Sequence, residues 1–241
     1  MKKYFTIIIV FAFIKSINAQ NENLFSKALS ISIGASNPQG DLSKTNINDS
    51  SSGYAKRGAA LALNFEYSFP KGIGFYAQYY TTSMALDNAK LASDAEKDLG
   101  FGWKNSEIKT SGYKISALNF GLMYTINKNH KFQIIPRLGF GFSNCTNRKI
   151  DATFKNGAFT ARYNFEDGKA SAVNINWGFD LSYRVSKKII ILAKFVNQLQ
   201  VPQFDVKRQV YLNGFLIKEE KKKETVGQLF SGFLFGIKYR I

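Results

Sequence analysis

Two carboxylates, Glu66 and Asp180, are the residues whose chemical type is best suited to acid–base chemistry in this chain. A carboxylate pair can act as general acid and general base when both groups share one cleft. Each of these two residues lies on the polar side of an alternating segment that also carries basic residues. Structural pairing with arginine is therefore the favoured interpretation, because buried charges require partners or water.

The chain contains one histidine, His130, and one cysteine, Cys145. A single residue of each type cannot form a zinc or copper cluster or an intrachain disulfide. His130 lies in a short turn rich in lysine and asparagine, which indicates a solvated residue rather than a catalytic base. Cys145 is either a reactive thiol at the rim or an incidental residue, and the second interpretation is favoured. We expect no enzyme activity, no cofactor and no metal.

The elements that must hold these residues are segments in which apolar and polar residues alternate. In the segment 58–70, Leu61, Leu63 and Phe65 alternate with Asn64 and Glu66. Successive side chains of a strand point to opposite faces, so each segment has one apolar and one polar side. The same pattern predicts eight strands, at 28–36, 58–70, 73–83, 111–126, 131–143, 172–185, 189–197 and 229–241.

The connections between these segments alternate in length. Short links at 70–72, 127–130 and 186–188 alternate with long ones at 39–57, 86–110, 144–170 and 198–228. Short turns on one rim and long loops on the other are typical of transmembrane barrels. The sequence therefore predicts an all-β fold, an eight-stranded antiparallel up-and-down transmembrane β-barrel with short periplasmic turns and long extracellular loops.

The beginning of the chain has the plan of a secretory signal peptide. Lys2 and Lys3 precede an apolar run at 4–14, and Ala19 offers a cleavage position. We expect residues 1–19 to be removed and residues 20–241 to form the barrel domain. The net charge falls from +16 to +13 when the three lysines of the leader are lost. An exported basic chain meets anionic lipids and glycolipids, so nucleic acid is not an expected partner.

The polar sides of the strands carry charges of both signs. In hydrocarbon a barrel must be closed, and eight strands leave an interior just wide enough for side chains. We expect a hydrated interior network centred on Glu66 and Asp180, which makes a pore for solutes doubtful. The residues assigned to this interior are Glu66, Lys114, Arg137, Asp180, Arg184, Lys194, Lys238 and Arg240.

The long connections contain further signals. Asn156-Gly157 and Asn213-Gly214 each lie between alternating residues, which predicts two β-hairpins with type I′ turns. Their strand edges could bind an extracellular protein, or the loops could only shield the barrel. The segment 87–109 is expected to be a helical turn or a solvated face. The lysine-rich segment 218–223 is either solvated or, together with Lys207 and Arg208, in contact with lipid phosphates.

Three stretches resemble one known group of proteins. These are Ala19-Gln20, the segment 32–41 (Ser-Ile-Gly-Ala-Ser-Asn-Pro-Gln-Gly-Asp) and the ending 236–241 (Gly-Ile-Lys-Tyr-Arg-Ile). The chain resembles the outer-membrane β-barrel proteins common in Bacteroidetes, a PorT-like group, over nearly its whole length. The resemblance implies location in a Gram-negative outer membrane. It also implies that Gly236, Tyr239 and Ile241 form a signal for the barrel-assembly machinery, with Ile241 in place of the usual terminal phenylalanine.

The leading hypothesis is a non-enzymatic surface barrel for interaction, adhesion or envelope integrity, similar to small OmpX-type barrels. Its long loops and the lack of a catalytic set favour this role. Three alternatives stay open. They are a component of a secretion or assembly machine, a narrow channel, and a soluble lipocalin-like binder with an apolar interior.

Overall fold

The computed structural model describes residues 26–46, 52–100, 102–166 and 168–241. The leader predicted at 1–19 lies outside these residues. Within them, the chain forms thirteen β-strands, one α-helix and a single 3-10 turn at Gly40–Leu42. Among the described residues, no α-helix is both long enough and apolar enough to cross a bilayer.

Eight of the strands form a closed antiparallel barrel in the order β1-β13-β10-β9-β6-β5-β3-β2. The predicted fold is thereby confirmed, and each strand is found at its expected place with ends that shift by a few residues. The barrel strands are β1 (Ser26–Gln39), β2 (Gly58–Ser68), β3 (Ile73–Met84), β5 (Tyr113–Tyr124), β6 (Phe132–Thr146), β9 (Lys169–Arg184), β10 (Ile189–Gln200) and β13 (Gln228–Arg240).

Closure is completed between the first and the last strand. In β1 and β13, Ile31 is paired with Ile237 and Ser32 with Gly236, in continuous register from Ala28 to Gln39. A closed sheet has no unpaired edge, so every strand of the wall has two hydrogen-bonded neighbours. The short turns β2–β3, β5–β6 and β9–β10 lie together at one end of the barrel, which we call the short-turn end.

The other five strands form a second antiparallel sheet at the opposite end. These strands are β4 (Lys104–Ser111), β7 (Lys149–Asn156), β8 (Phe159–Phe165), β11 (Gln203–Leu212) and β12 (Phe215–Thr225). We call this five-stranded sheet the distal sheet. Its order, β12-β11-β8-β7-β4, repeats the barrel order β13-β10-β9-β6-β5 of the strands to which these five are joined. The distal sheet is thus a continuation of five-eighths of the barrel wall.

Both predicted hairpins are present, as β7–β8 and β11–β12. Asn213 and Gly214 both have positive φ, 51° and 84°, as a type I′ turn requires. The predicted position of the other turn is wrong. Asn156 is paired with Phe159, so the two central residues are Gly157 and Ala158. Only Gly157 has positive φ there, which is the pattern of a type II′ turn.

The segment between β3 and β4 contains α1 (Asn88–Leu99), so the helical expectation for this connection is confirmed. Asp87 is its N-cap, and the Asp87 side chain accepts a hydrogen bond of 3.1 Å from the Lys90 backbone N–H. The helix ends at Gly100, whose φ is +95°. Two side-chain contacts tie α1 to β4: Glu96 accepts from the Asn105 N–H at 2.6 Å, and Thr110 donates to Asn88 at 2.7 Å.

Candidate functional site

The barrel reverses the usual distribution of side chains. Its outer face carries exposed apolar residues from all eight strands. Its interior holds many buried polar residues, together with an apolar cluster towards the distal sheet that includes Tyr80, Met84 and Leu234. Exposed examples are Ile33, Leu63, Phe75, Leu122, Phe140, Ile175, Ile191 and Phe235. Buried polar residues include Ser32, Asn64, Gln78, Asn119, Asn176 and Gln198. A water-soluble barrel needs a polar outer face, so the lipocalin-like alternative is wrong.

An apolar outer face of this kind is stable only against hydrocarbon. Together with the closed wall it defines the class of the protein: a small transmembrane β-barrel.

The centre of the interior is crossed by a network of charged residues. Arg137 on β6 donates through Nη2 to both Glu66 on β2 and Asp180 on β9. Lys194 Nζ lies 3.0 Å from Asp180, and Lys238 Nζ lies 2.7 Å from Glu66. All five side chains are buried. Since β2 and β9 are four positions apart in the eight-stranded order, this network joins opposite walls of the barrel.

A second row of side chains follows the inner wall over β2, β3 and β5 and is joined to other strands by Lys194. Gln78 donates to Asn64 at 2.8 Å, and Asn119 donates to Gln78 at 3.3 Å. Lys194 also reaches Asn64, at 3.4 Å. The guanidinium of Arg137 lies 5.1 Å from the centre of the Tyr76 ring, and the Tyr76 hydroxyl donates to Asn176. These transverse contacts hold the wall strands together and occupy the space through which a solute would pass.

Three residues expected in this network lie elsewhere. The expectation for Lys114 is wrong, because its exposed side chain shares the outward face of β5 with Leu118, four residues later. Arg184 and Arg240 point inward at the short-turn end, away from the ion pairs. Arg184 donates to the Lys128 carbonyl at 2.9 Å, and Arg240 borders a space of about 30 Å³, close to the volume of one water molecule.

The other residues singled out from the sequence lie outside the charged network. His130 is exposed in the short turn between β5 and β6. Cys145 lies within β6 and is buried, and its sulfur accepts a hydrogen bond of 3.0 Å from Gln200. Gly236 and Tyr239 lie in β13, and Ile241 follows it directly. In the described part of the chain, no three His, Cys, Asp or Glu residues lie close enough together to hold a metal ion.

A larger cavity lies between α1 and the distal sheet. Its volume is about 370 Å³, within the range of small-molecule sites, and we call it the distal cavity. Leu91 and Leu99 of α1 line one side, and Ile108, Ile150 and Phe154 of the sheet line the other. This cavity is separate from the charged barrel interior.

Arg148, in the two-residue link between β6 and β7, lines the distal cavity and is only 8% exposed. Its Nη1 donates to the Ser52 carbonyl and, at 2.8 Å, to the Tyr113 hydroxyl. Its guanidinium carbon lies 5.5 Å from the centre of the Phe165 ring. Among the described residues Arg148 forms no ion pair, and its buried Nε has no hydrogen-bond partner.

Arg208, on β11, gives the contrasting case. Its guanidinium lies 5.3 Å from the same Phe165 ring, but it also pairs with Glu224 at 3.0 Å. Arg208 thus has a carboxylate partner, whereas the described residues supply none for Arg148, which is more deeply buried.

Tyr54 connects the first long loop to α1. Its hydroxyl donates to Asp94 at 3.0 Å, and its backbone has a φ of +52°, which costs a non-glycine residue about 1–2 kcal/mol. Backbone hydrogen bonds to Lys44 and Asp87 hold this conformation. Burial, followed by the hydrogen bond to Asp94, raises the pKa of Tyr54. The hydrogen bond from Lys90, followed by that from Tyr54, lowers the pKa of Asp94.

Sequence reasoning did not place Tyr54, Arg148 and Arg208 together, because each comes from a different loop and acquires its neighbours only on folding. One signal was present. In the predicted hairpin at 150–163, Ile150, Ala152 and Phe154 alternate with polar residues, and an apolar side on a loop hairpin needs a cover. Helix α1 and the loop of Tyr54 supply that cover.

No protein-family model matches the chain, and no curated protein matches its sequence. Among solved structures, the chain is similar to a major outer membrane protein of Thermus thermophilus, with 10% identity and a TM-score of 0.47, over 89% of this chain and 99% of that one. It is also similar to Neisserial surface protein A, with 12% identity and a TM-score of 0.43, over 91% and 98%.

A third similar structure is Ail, the attachment invasion locus protein of Yersinia pestis, with 12% identity and a TM-score of 0.41, over 92% of this chain and 100% of that one. These similarities are distant, so the fold class is assigned from the strand pairing and the burial pattern of the chain itself.

Proposed function

We propose that the protein is a non-enzymatic integral barrel of a Gram-negative outer membrane, and that its distal sheet faces the cell exterior and binds a partner there. The observation that carries this proposal is the tip of the β11–β12 hairpin. Phe215, Leu216 and Ile217 are consecutive, large, apolar and exposed, and they lie beyond the barrel wall. Exposed apolar side chains in contiguous groups are typical of interaction surfaces.

The edge of the distal sheet supports the same role. Within the described residues, β12 is paired only with β11, so its second edge is available for strand addition. The strand continues from its apolar tip into Lys218, Lys221, Lys222 and Lys223. Lysines on an edge strand discourage pairing between identical chains. A partner chain of different sequence, with acidic residues along its strand, fits this edge.

The charged residues that cross the barrel favour an anchoring role over a conducting one. A channel would need Arg137 to separate from Glu66 and Asp180, which would leave its buried guanidinium without a carboxylate partner. This proposal also includes the outer-membrane location, the leader at 1–19 and the resemblance to the PorT-like group. It includes as well the assembly signal at Gly236, Tyr239 and Ile241.

The orientation can be tested by cysteine labelling on intact cells in a Cys145→Ser background. Ala158 is exposed in the β7–β8 turn, and Lys187 is exposed in the turn at the short-turn end. A membrane-impermeant maleimide should label Ala158→Cys on intact cells and Lys187→Cys only after the envelope is opened. The reverse result would overturn the proposed orientation, and co-fractionation with the inner membrane would overturn the location.

The binding role can be tested at the hairpin tip. Replacing Phe215, Leu216 and Ile217 by serine should abolish cell-surface attachment or aggregation conferred by the protein, while heat-modifiable gel mobility stays unchanged. The matched control replaces Leu212, which is exposed on β11 before the turn, by serine. Unchanged attachment in the triple variant would contradict the proposal.

A further inference from the structure

We propose that the distal cavity binds a small amphipathic anion, with its acidic group on Arg148 and its apolar part between α1 and the distal sheet. The inference goes beyond partner binding at the hairpin tip, since it concerns a small molecule and a different part of the distal region.

The first argument is the state of Arg148. An arginine side chain is always charged in proteins, and burial of a charge without a partner is strongly unfavourable. Phe165 offers a ring face and Ser52 and Tyr113 offer neutral oxygens, but none of them carries a negative charge. An anion in the cavity would supply the missing charge, because the Arg148 side chain lines the cavity.

The second argument is that the guanidinium is already held in place. The two hydrogen bonds from Nη1 and the contact with the Phe165 ring fix its orientation before any ligand binds. Little conformational entropy would then be lost when an anion pairs with it, and preorganisation of this kind increases affinity. A fixed, planar donor group suits a carboxylate, sulfonate or phosphate.

The third argument concerns the rest of the cavity wall. Apolar residues face each other across the cavity. Leu91 and Leu99 of α1 lie on one side, and Ile108, Ile150 and Phe154 of the distal sheet lie on the other. A free inorganic anion would leave these side chains against water, whereas an acyl chain or an aromatic ring would cover them. Two other cations of the cavity have carboxylate partners: Arg208 pairs with Glu224, and Lys218 lies 3.7 Å from Glu220. Asp98, a further acid that lines the cavity, is exposed to solvent. The site therefore fits one acidic group on an apolar body.

The proposal can be tested with three probes of equal chain length: octanoate, octanol and octyltrimethylammonium. Each is titrated calorimetrically, below its micellar concentration, into the protein in lipid nanodiscs, and the heat from empty nanodiscs is subtracted. Octanoate should bind saturably at one site per chain. Octanol should bind at least about tenfold more weakly, since it lacks the charge-assisted hydrogen bond, and the cationic probe should not bind. Equal affinity for octanoate and octanol would overturn the proposal.

Two variants localise the site. Arg148→Gln should reduce octanoate affinity to that of octanol, and Ala95→Trp, which fills the cavity from α1, should abolish binding of both. The matched control is Arg162→Gln, because Arg162 lies on β8 in an exposed pair with Asp151 and loses the same charge. Each variant is first checked for heat-modifiable mobility. Because Ala95→Trp leaves Arg148 intact, binding that survives in this variant would overturn the proposal even if Arg148→Gln fails to fold.

The source of the anion is distinguished by the lipid of the nanodisc. Octanoate affinity that is lower in phosphatidylglycerol discs than in phosphatidylcholine discs would show competition by a lipid headgroup at the same site. Equal affinity in both discs would assign the site to free acids. Both results uphold the site, and an absence of saturable binding in either disc would overturn it.

Discussion

Glu66 and Asp180 stand on opposite walls of the barrel, and both accept a hydrogen bond from the same guanidinium group, that of Arg137. The two carboxylates whose chemical type suits acid–base chemistry are therefore joined through a cation. Each also has a lysine: Lys238 for Glu66 and Lys194 for Asp180. Each carboxylate thus contacts two cationic side chains, and the five residues together connect opposite walls of the barrel.

This network predicts a large cost for neutralising Asp180. Asp180→Asn removes the charge that Arg137 and Lys194 share, and loss of one member of a buried ion network costs about 3–5 kcal/mol. We expect the free energy of unfolding, measured by urea titration in lipid vesicles, to fall by that amount. Asp151→Asn is the control, because its pair with Arg162 is exposed and worth less than about 1 kcal/mol. Similar losses in both variants would contradict the network.

The lipid-facing surface predicts different effects for the same substitution at two positions of equal exposure. Leu138, in the middle of β6, and Ile217, at the tip of β12, are both 63% exposed. Leu138→Arg should destabilise the protein folded in bilayers by about 2–4 kcal/mol, because it places a cation in hydrocarbon. Ile217→Arg should have little effect, because this residue lies outside the bilayer. If both variants were equally stable, the outer face of the barrel would not contact lipid.

The Tyr54–Asp94 contact predicts how docking of α1 depends on pH. Since burial raises the pKa of Tyr54 above 10, the protonated tyrosine is favoured in the folded state. The contribution of Tyr54 to the stability of docked α1 is complete below about pH 10 and is lost as the pH rises towards the pKa of the folded state. Protection of α1 from hydrogen exchange, corrected for the intrinsic rate, should therefore fall above pH 10.

The same contact gives a prediction at acidic pH. The pKa of Asp94 is lowered in the folded state. Its contribution to the stability of docked α1 is therefore present above about pH 4 and is lost as the pH falls through the pKa of the folded state. Tyr54→Phe should remove the alkaline loss of protection and leave the acidic one. Tyr239→Phe, at the short-turn end, should change neither. An alkaline loss that persists in Tyr54→Phe would assign it to another group.

The burial of Cys145 predicts that its thiol reacts slowly with reagents in solution. In the folded protein, Cys145 should react with a maleimide at least about a hundredfold more slowly than a cysteine at Ser171, measured in a Cys145→Ser background. Ser171 lies near the same end of the barrel but is exposed. Denaturation should make the two rates equal. Comparable rates in the folded state would show that Cys145 is accessible and would restore the reactive-thiol interpretation.

The barrel could be predicted because alternation is a local property. Leu61, Leu63 and Phe65 indicate the outward side of β2 from adjacent residues alone, and Asn213-Gly214 indicates a turn in the same way. The error at Lys114 has a simple cause: a charged residue was assigned to the interior against the parity of its own strand. Near a strand end, an outward charge can leave the hydrocarbon and contact head groups or water.

The distal sheet and its cavity could not be predicted, because they depend on pairings between loops. The contact of β8 with β11 joins residues from different long connections, such as Tyr163 and Val210. Nothing in either segment identifies the other as its partner. Arg148, likewise, has no distinguishing neighbours in the sequence, and its position beside Phe165 follows from the assembly of the distal sheet.

The continuity of the distal sheet with the barrel has a mechanical consequence. Only Val201 and Pro202 separate β10 from β11, and only Val226 and Gly227 separate β12 from β13. Five links of one to three residues join the distal sheet to the barrel, and such short links prevent it from rotating freely relative to the barrel. A force applied to the tip of the β11–β12 hairpin would therefore be transmitted directly to the hydrogen bonds between β10 and β13. The force that the protein can bear while a partner is bound at this tip would then depend on the mechanical strength of the barrel wall.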